Sequence, residues 1–294
     1  MEAALYLCPT PIGNLGDVTL RTLWVLSQAR LVLAEDTRRA RVLLQSYNLK
    51  PSKLVSYHQF NEASRCDEVV VRLKAGESVA LMSDAGTPLV ADPGFRLVGA
   101  ALAEGLRVIP LPGAQAVWPA LTGSGLPVLP VHVEGFLPRV KQARRRRLTA
   151  LSTLTDTLVF YEAPHRVASC LDDMATILGD RAACLAREIT KHYETFWRGA
   201  ISELSGKVAA HPVRGEIVLV VAGAAAPVDL PEDLEPQADA LMAQGLSSRD
   251  VRARLRSEGL NANQAYRAAT RRRRSEATED PRRTGKVIQG KSAS

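Results

Sequence analysis

Short, almost wholly apolar runs recur through about the first 115 residues, at 5–8, 31–34, 54–57, 79–82 and 108–111. Each ends in a loop rich in Gly, Pro or acidic residues. Four apolar residues in succession leave a strand no wet face, so it must be covered on both sides. Helix-like segments separate the runs, at 20–26, 38–47, 63–74 and 96–104. Asp17 or Thr19 is placed to cap the first and Gly76 to stop the third. This alternation predicts a mostly parallel α/β sheet with helices on both faces. Such sheets bind ligands beyond the carboxyl ends of their strands, so the loops after the runs carry any functional reading.

Beyond residue 120 the rhythm changes. Gly123, Gly125, Pro127 and Pro130 mark a break. Strand candidates follow at 131–136, 157–161, 184–187, 193–199 and 216–221, with a helix beginning at Pro164. We expect an N-terminal α/β domain over 1–120 and a C-terminal mixed α+β domain over 121–226. A Pro- and acid-rich linker, 227–236, leads to a small helical appendage at 237–270. Ser247 or Ser248 would cap its helix at 249–257, and Asn261 a second at 262–269. The segment 271–294 has the composition of a basic, disordered tail.

That tail holds eight Lys or Arg and three acids, so of the chain's 38 basic and 31 acidic residues the first 270 positions keep 30 and 28. Most of the net charge of +7 is therefore local to the tail. Aromatic residues make up 5% of the chain, which argues against an extended stacking surface for single strands. Cys8, Cys66, Cys170 and Cys184 are scattered, without the spacing of a disulfide framework or a zinc site, and no metal is expected. The N-terminus lacks a basic region followed by an apolar stretch, and no apolar run is long enough to span a bilayer. A cytoplasmic protein without membrane contact is the expectation.

Five strand exits carry residue types suited to a ligand site. In the first, 9–17, Gly13 and Gly16 permit close backbone approach. Their spacing is neither GxGxxG nor GxxxxGK[ST], so an ordinary dinucleotide or ATP phosphate site is not indicated. The second, Glu35-Asp36-Thr37-Arg38, offers paired acids for proton transfer, or an ion pair and helix cap. The third, 83–94, takes roughly eleven residues where such connections usually need about 2 to 6. There Asp84 and Asp92 suit a cationic group, and the backbone around Gly86 and Thr87 suits a small ligand. The fourth is 110–115. The fifth, 160–166, joins 186–191 in the second domain, so that facing domains would enclose a cleft. Separately, residues 139–147 hold six positive charges and no acid. Like charges encircling a helix without acidic partners favour phosphate binding. His58 stands among polar neighbours, although a lone histidine is more often structural.

Eight motifs follow in order: TPIGNLGD at 10–17, AEDTR at 34–38, SYHxxNE at 56–62, SDAGTPLxADPG at 83–94, PLPG at 110–113, EGFLP at 134–138, FYEAPHR at 160–166 and ARExTK at 186–191. Together they resemble the ribosomal RNA small-subunit methyltransferase I family, of the tetrapyrrole-methylase superfamily. Cys8-Pro9 before Thr10, and Gln115 in place of the usual Ser, depart from its pattern. The resemblance implies a tetrapyrrole-methylase-like two-domain fold and a homodimer. It implies S-adenosylmethionine-dependent 2′-O-methylation of a cytidine in the decoding centre of 16S rRNA. It also implies a cofactor site at Pro11, Gly13, Asp84, Ala85, Gly86, Thr87, Pro88, Gly113, Ala114, Gln115, Glu162 and Ala163. The proton acceptor is left among Glu35, Asp36, His58, Glu62, Glu162, Glu188 and Lys191, with Asp36, His58 and Lys191 ranked first. Arg38, Arg139, Lys141, Arg144, Arg145, Arg146, Arg147 and Arg166 are assigned to rRNA phosphates of the small subunit. Two alternatives stay open: a C-methyltransferase of a tetrapyrrole precursor, and a non-enzymatic RNA-binding assembly factor.

Overall fold

The computed structural model describes residues 1–225, 234–257 and 265–266. Strands β1 (Leu5–Cys8), β2 (Leu31–Ala34), β3 (Leu54–Ser56), β4 (Val79–Met82) and β5 (Val108–Pro110) form one parallel sheet in the order β3-β2-β4-β1-β5. Period-two alternation sends Tyr6, Cys8, Val32, Ala34, Ala80 and Met82 to one face. There they meet Val25 and Leu26 of α1 (Leu20–Gln28) and Ala40 and Leu44 of α2 (Thr37–Ser46). Leu5, Leu31, Leu33, Val79 and Leu81 point the other way, onto Cys66, Val69 and Leu73 of α3 (Glu62–Lys74) and Leu97 and Ala101 of α4 (Phe95–Ala103). The parallel sheet read from the apolar runs is present, covered on both faces.

Strands β6 (Val131–Phe136), β7 (Thr157–Glu162), β8 (Ala182–Arg187), β9 (Thr195–Ala200) and β10 (Ile217–Val221) form the second sheet, ordered β6-β7-β10-β8-β9. Only β6 and β7 run parallel; the other pairs are antiparallel, the mixed sheet expected. Leu158, Phe160, Leu185 and Leu219 face α6 (Lys141–Leu151), α7 (Val167–Leu178) and α8 (Ile201–Ala210). The opposite face, with Val159, Cys184, Ala186, Val218 and Val220, carries Val117, Ala120 and Leu121 of α5 (Val117–Ser124). Ile12, from the β1 exit, packs on that same cluster. The chain therefore moves onto the second sheet at α5, ahead of the Gly and Pro cluster near 125.

Helix α8 carries no Ser, Thr, Asp or Asn cap before it. Its first turn is instead held by Asp180, which accepts from Ser202 N at 2.8 Å, and by Glu203, which accepts from Ala200 N at 3.3 Å. Among the C-terminal residues, α9 (Leu234–Ala243) and α10 (Ser248–Ser257) pack around Ala238, Val251, Leu255 and Ala265. Ser247 caps α10, accepting from Asp250 N at 3.3 Å. Helix α9 begins inside the segment read as linker; Pro236 falls in its first turn, where proline is tolerated. The expected helix over 262–269, apart from 265–266, and the tail 271–294 lie outside the described residues. No helix among the described residues is long and apolar enough to cross a membrane.

Candidate functional site

The exits of β1, β4 and β5 are tied together by backbone and threonine hydroxyl bonds. Thr10 N donates to Gly86 O and Gly86 N to Thr10 O, both at 2.9 Å, a single rung of antiparallel bridge. Thr10 Oγ1 donates to Ser83 O at 3.1 Å, and Thr87 Oγ1 to Ala114 O at 3.1 Å. Asp84 Oδ1 accepts from Asp36 N at 3.1 Å, which adds the β2 exit. The long third loop is bent by four residues with positive φ: Gly86, Leu89, Ala91 and Gly94. Two of these are not glycine, and such backbone clusters where a binding site imposes it.

Between this rim and the second sheet lies a cavity of about 420 Å³. One wall is Ile12, Ala85, Gly86, Thr87 and Val90 to Asp92, with Gln115 and Ala116. The facing wall comes from the exits of β6 and β7 (Phe136, Tyr161, Glu162, Ala163, Pro164), from Ile189, and from Gly215 to Val218. The facing loop repeats the strain, with φ of 51° at Glu188 and 69° at Thr190. Most of the lining is apolar or backbone, which suits an organic ligand of moderate size.

Three carboxylates stand in these walls, Glu162, Asp92 and Glu216, the last 3.2 Å from Lys191 Nζ. Glu162 is buried; its Oε1 accepts from Ala163 N at 2.8 Å and lies 3.3 Å from Arg166 Nε. Glu162 Oε2 is buried with no hydrogen-bond partner, and so is Oδ2 of Asp92. Burial, then the charges of Glu35 and Asp84, push the Asp92 pKa up to about 6. An unpartnered buried acceptor is costly unless a ligand donor or cation completes it.

Of the residues assigned to the cofactor, Ala85, Gly86, Thr87, Gln115, Glu162 and Ala163 line the cavity. The Ala114 carbonyl positions Thr87. Gly113 stands against Pro9, where a Cβ would clash with the proline ring. Pro88 lines only a small recess that it shares with Tyr57 and Asp92. Asp84 braces Asp36 and lies 3.5 Å from Arg39, outside the lining, and Pro11 is likewise outside it. The sequence reading put Asp84 ahead of Asp92. Asp92, two residues beyond the apolar Val90, is the one the loop turns into the cavity.

The three residues ranked first for proton transfer fall elsewhere. Asp36 caps α2 and is held by Arg38 at 2.8 Å, which keeps its carboxyl far below the usual range. His58 packs edge-on against Phe60, with ring centroids 6.0 Å apart, and does not line the cavity. Lys191 does not line the cavity; its Nζ lies 2.9 Å from Glu188 and 3.2 Å from the lining residue Glu216. Burial works against its charge, but those two partners outweigh it and raise the pKa.

The basic run is less free than its sequence suggests. Arg144 and Asp173 form a pair whose side chains are 5% and 2% exposed, 2.6 Å apart, and Arg145 adds a second contact to Asp173 at 2.7 Å. Arg147 makes two bonds to Glu134. The acids absent from the run arrive from α7 and β6, so the expectation that it lacks partners is corrected for these three. Arg139, Lys141 and Arg146 make no ion pair among the described residues. Arg38 pairs with Asp36. Arg166 spends an Nη2 on the carbonyls of Leu137, at 2.9 Å, and Pro138, at 3.2 Å.

Residues 4–205 match the family model described as Tetrapyrrole (Corrin/Porphyrin) Methylases. Curated relatives extend the match. A "Ribosomal RNA small subunit methyltransferase I" from Micromonospora olivasterospora is 51% identical over 223 residues, 76% of this chain and 71% of the relative. A protein of the same name from Bacillus subtilis (strain 168) is 45% identical over 219 residues, 74% of this chain and 75% of that one. The chain belongs to this family of methyltransferases. Solved members of the wider fold include the uroporphyrin-III C-methyltransferase of Thermus thermophilus complexed with S-adenosyl homocysteine. It covers 74% of this chain at TM-score 0.51 and 18% identity, a likeness of fold alone. The methyltransferase CobJ covers 76% at TM-score 0.56 and 17% identity.

Proposed function

We propose that the protein is an S-adenosylmethionine-dependent methyltransferase acting on the 2′-hydroxyl of a cytidine in the decoding centre of 16S rRNA, working as a homodimer in the cytoplasm. Family membership supports the reaction class. The single observation that carries the site is the cavity beyond the parallel sheet, with two orphaned carboxylate oxygens, Asp92 Oδ2 and Glu162 Oε2, in its wall. Glu162, among apolar and backbone groups, suits a ligand that bears a sulfonium, an ammonium and a flat base, and leaves Asp92 for the acceptor.

Ala85 to Thr87, Gln115 and Ala116 would hold this ligand from one side, and Tyr161 to Ala163 from the other. Bound there, S-adenosylmethionine would supply an electrophilic methyl for the ribose oxygen, the electron pair of the C–S bond leaving on sulfur. The ribose proton needs an acceptor, because the hydroxyl alone is a poor nucleophile. Asp92 Oδ2 takes it; with a pKa of about 6 this carboxylate is ionised at neutral pH yet more basic than an ordinary one. Asp36, held far more acidic by Arg38, lacks that basicity. Glu188 and Glu216 keep Lys191 protonated, so it contributes charge rather than a base.

The test is transfer of labelled methyl to small subunits from a strain lacking this modification, followed by mapping of the product nucleotide. Label at a cytidine 2′-oxygen is expected. Label on a tetrapyrrole precursor, or none on the subunit, rejects the reading.

A further inference from the structure

A second recess, of about 530 Å³, opens beside the cavity and shares Phe136 and Ala163 with it. Its remaining lining is Leu137, Pro138, Arg139, His165 and Arg166. No acid lines this recess. Arg139 and His165 are exposed and make no hydrogen bond or ion pair among the described residues. Arg166 fastens the floor by donating to the carbonyls of Leu137 and Pro138.

Phe136 reaches this place through a one-residue irregularity. Val133 pairs with Val159 and Gly135 with Phe160, so Glu134 is an extra residue in β6. Simple alternation from Val133 would turn Phe136 toward the face that packs on α6 and α7. The bulge reverses its side and sets it against Tyr161, with centroids 5.4 Å apart and planes at 41°. The residue remains 56% exposed. A large apolar ring held on a bulge, between two concavities and beside the unpaired Arg139 and the imidazole of His165, calls for a ligand that is both flat and anionic.

We propose that this recess is the acceptor subsite, taking one nucleotide extruded from the RNA, with its base stacked on Phe136 and its phosphate held by Arg139 and His165. The proposal rests on the RNA-methylating reading above. A base inside a duplex cannot bring its ribose to an enclosed donor, and enzymes meet that problem by flipping the nucleotide into a pocket. Stacking on an exposed ring is how unpaired RNA bases are commonly held. Because the two concavities share Phe136, a nucleotide stacked there has its ribose at the mouth of the donor cavity.

The experiment measures anisotropy of a fluorescein-labelled RNA hairpin with a cytidine in its loop, against the same hairpin with an abasic site there. The native protein is expected to favour the base-bearing hairpin on the order of ten-fold. Phe136→Leu should erase that preference and Phe136→Tyr should keep it. Arg139→Gln should weaken both hairpins alike and lower the salt slope by about 1. A preference surviving Phe136→Leu, absent from the native protein, or an unchanged salt slope in Arg139→Gln, overturns the assignment. If this pattern holds while the native protein transfers no methyl to subunits, the subsite stands and the reaction reading fails.

Discussion

Gly13 lies directly beneath the side chain of Lys191. A Cβ on Gly13 would collide with the lysine Cγ and stand 2.9 Å from its Cε. The contact joins the β1 exit to the loop after β8, the two walls of the cavity. The Lys191 head is also fixed, by Glu188 and Glu216. Gly13→Ala is therefore expected to cost about 1 to 3 kcal/mol, the usual range for overpacking a filled site. Much of that cost should vanish in the Lys191→Ala background, where the obstructing stem is gone. Denaturant melts of the two single variants and the double variant give the coupling. Costs that simply add would show that the residues do not constrain each other.

Asp92 carries the clearest pH signature. Its pKa is raised in the folded state, so the folded protein binds this proton more tightly than the unfolded chain does. The associated stability is complete below the unfolded carboxylate value and is lost as pH rises through about 6. Asp92→Asn cannot ionise, and at pH 8 it should be more stable than the native protein by about 1 to 2 kcal/mol, after discounting for partial solvation. Methyl transfer by the native protein should rise through pH 6 and be abolished in the variant. A variant that is no more stable at pH 8, yet fully active, would remove Asp92 from both roles.

Arg144 and Asp173 make a different prediction from the one their sequence invites. Removing one partner of a buried ion pair strands the other, at about 3 to 5 kcal/mol. Asp173→Ala should approach that cost, whereas Arg146→Ala should stay within about 0.5 kcal/mol. Burial alone would raise the Asp173 pKa, but Arg145 and Arg144 outweigh it and lower it. Its contribution is therefore present above the unfolded carboxylate pKa and fades as pH falls below it. Alanine at all of 144–147 should unfold the protein before it reports on RNA. Thermal melts of Asp173→Ala and Arg146→Ala decide this, and equal costs would contradict it.

The residues that were legible in the sequence are those whose signal is local. All five parallel strands announce themselves as apolar runs, and Thr19, Asp36 and Ser247 cap helices from within their own segments. The long third loop was visible as a ligand wall because its length and its Gly, Pro and Asp content are local too. What needed the structure was decided by partners distant in the chain. Glu134 and Asp173 neutralise arginines 13 to 29 positions away. Helix α8 takes its cap from Asp180, 22 residues before Ser202. Asp84 and Asp92 look alike in sequence, and only the left-handed turns at Leu89 and Ala91 send one into the cavity and leave the other at its back.

Those left-handed turns can be tested without touching any side chain that meets a ligand through polar atoms. Ala91 holds φ at 66°, a conformation that costs an L-residue roughly 1 to 2 kcal/mol. Glycine adopts it freely but loses about 0.5 to 1 kcal/mol more chain entropy on folding. Ala91→Gly should therefore be neutral to slightly stabilising, by at most about 1 kcal/mol. Leu89, at φ 71°, differs because its side chain packs against the core cluster that contains Leu81 and Leu97, and Leu89→Gly should destabilise through lost burial. If the strain serves to aim the loop, Ala91→Gly should lose several-fold in affinity for S-adenosylmethionine while its melting temperature holds. Calorimetric titration alongside a thermal melt measures both. A melting temperature several degrees lower with affinity unchanged would mean that the turn is built for stability and not for binding.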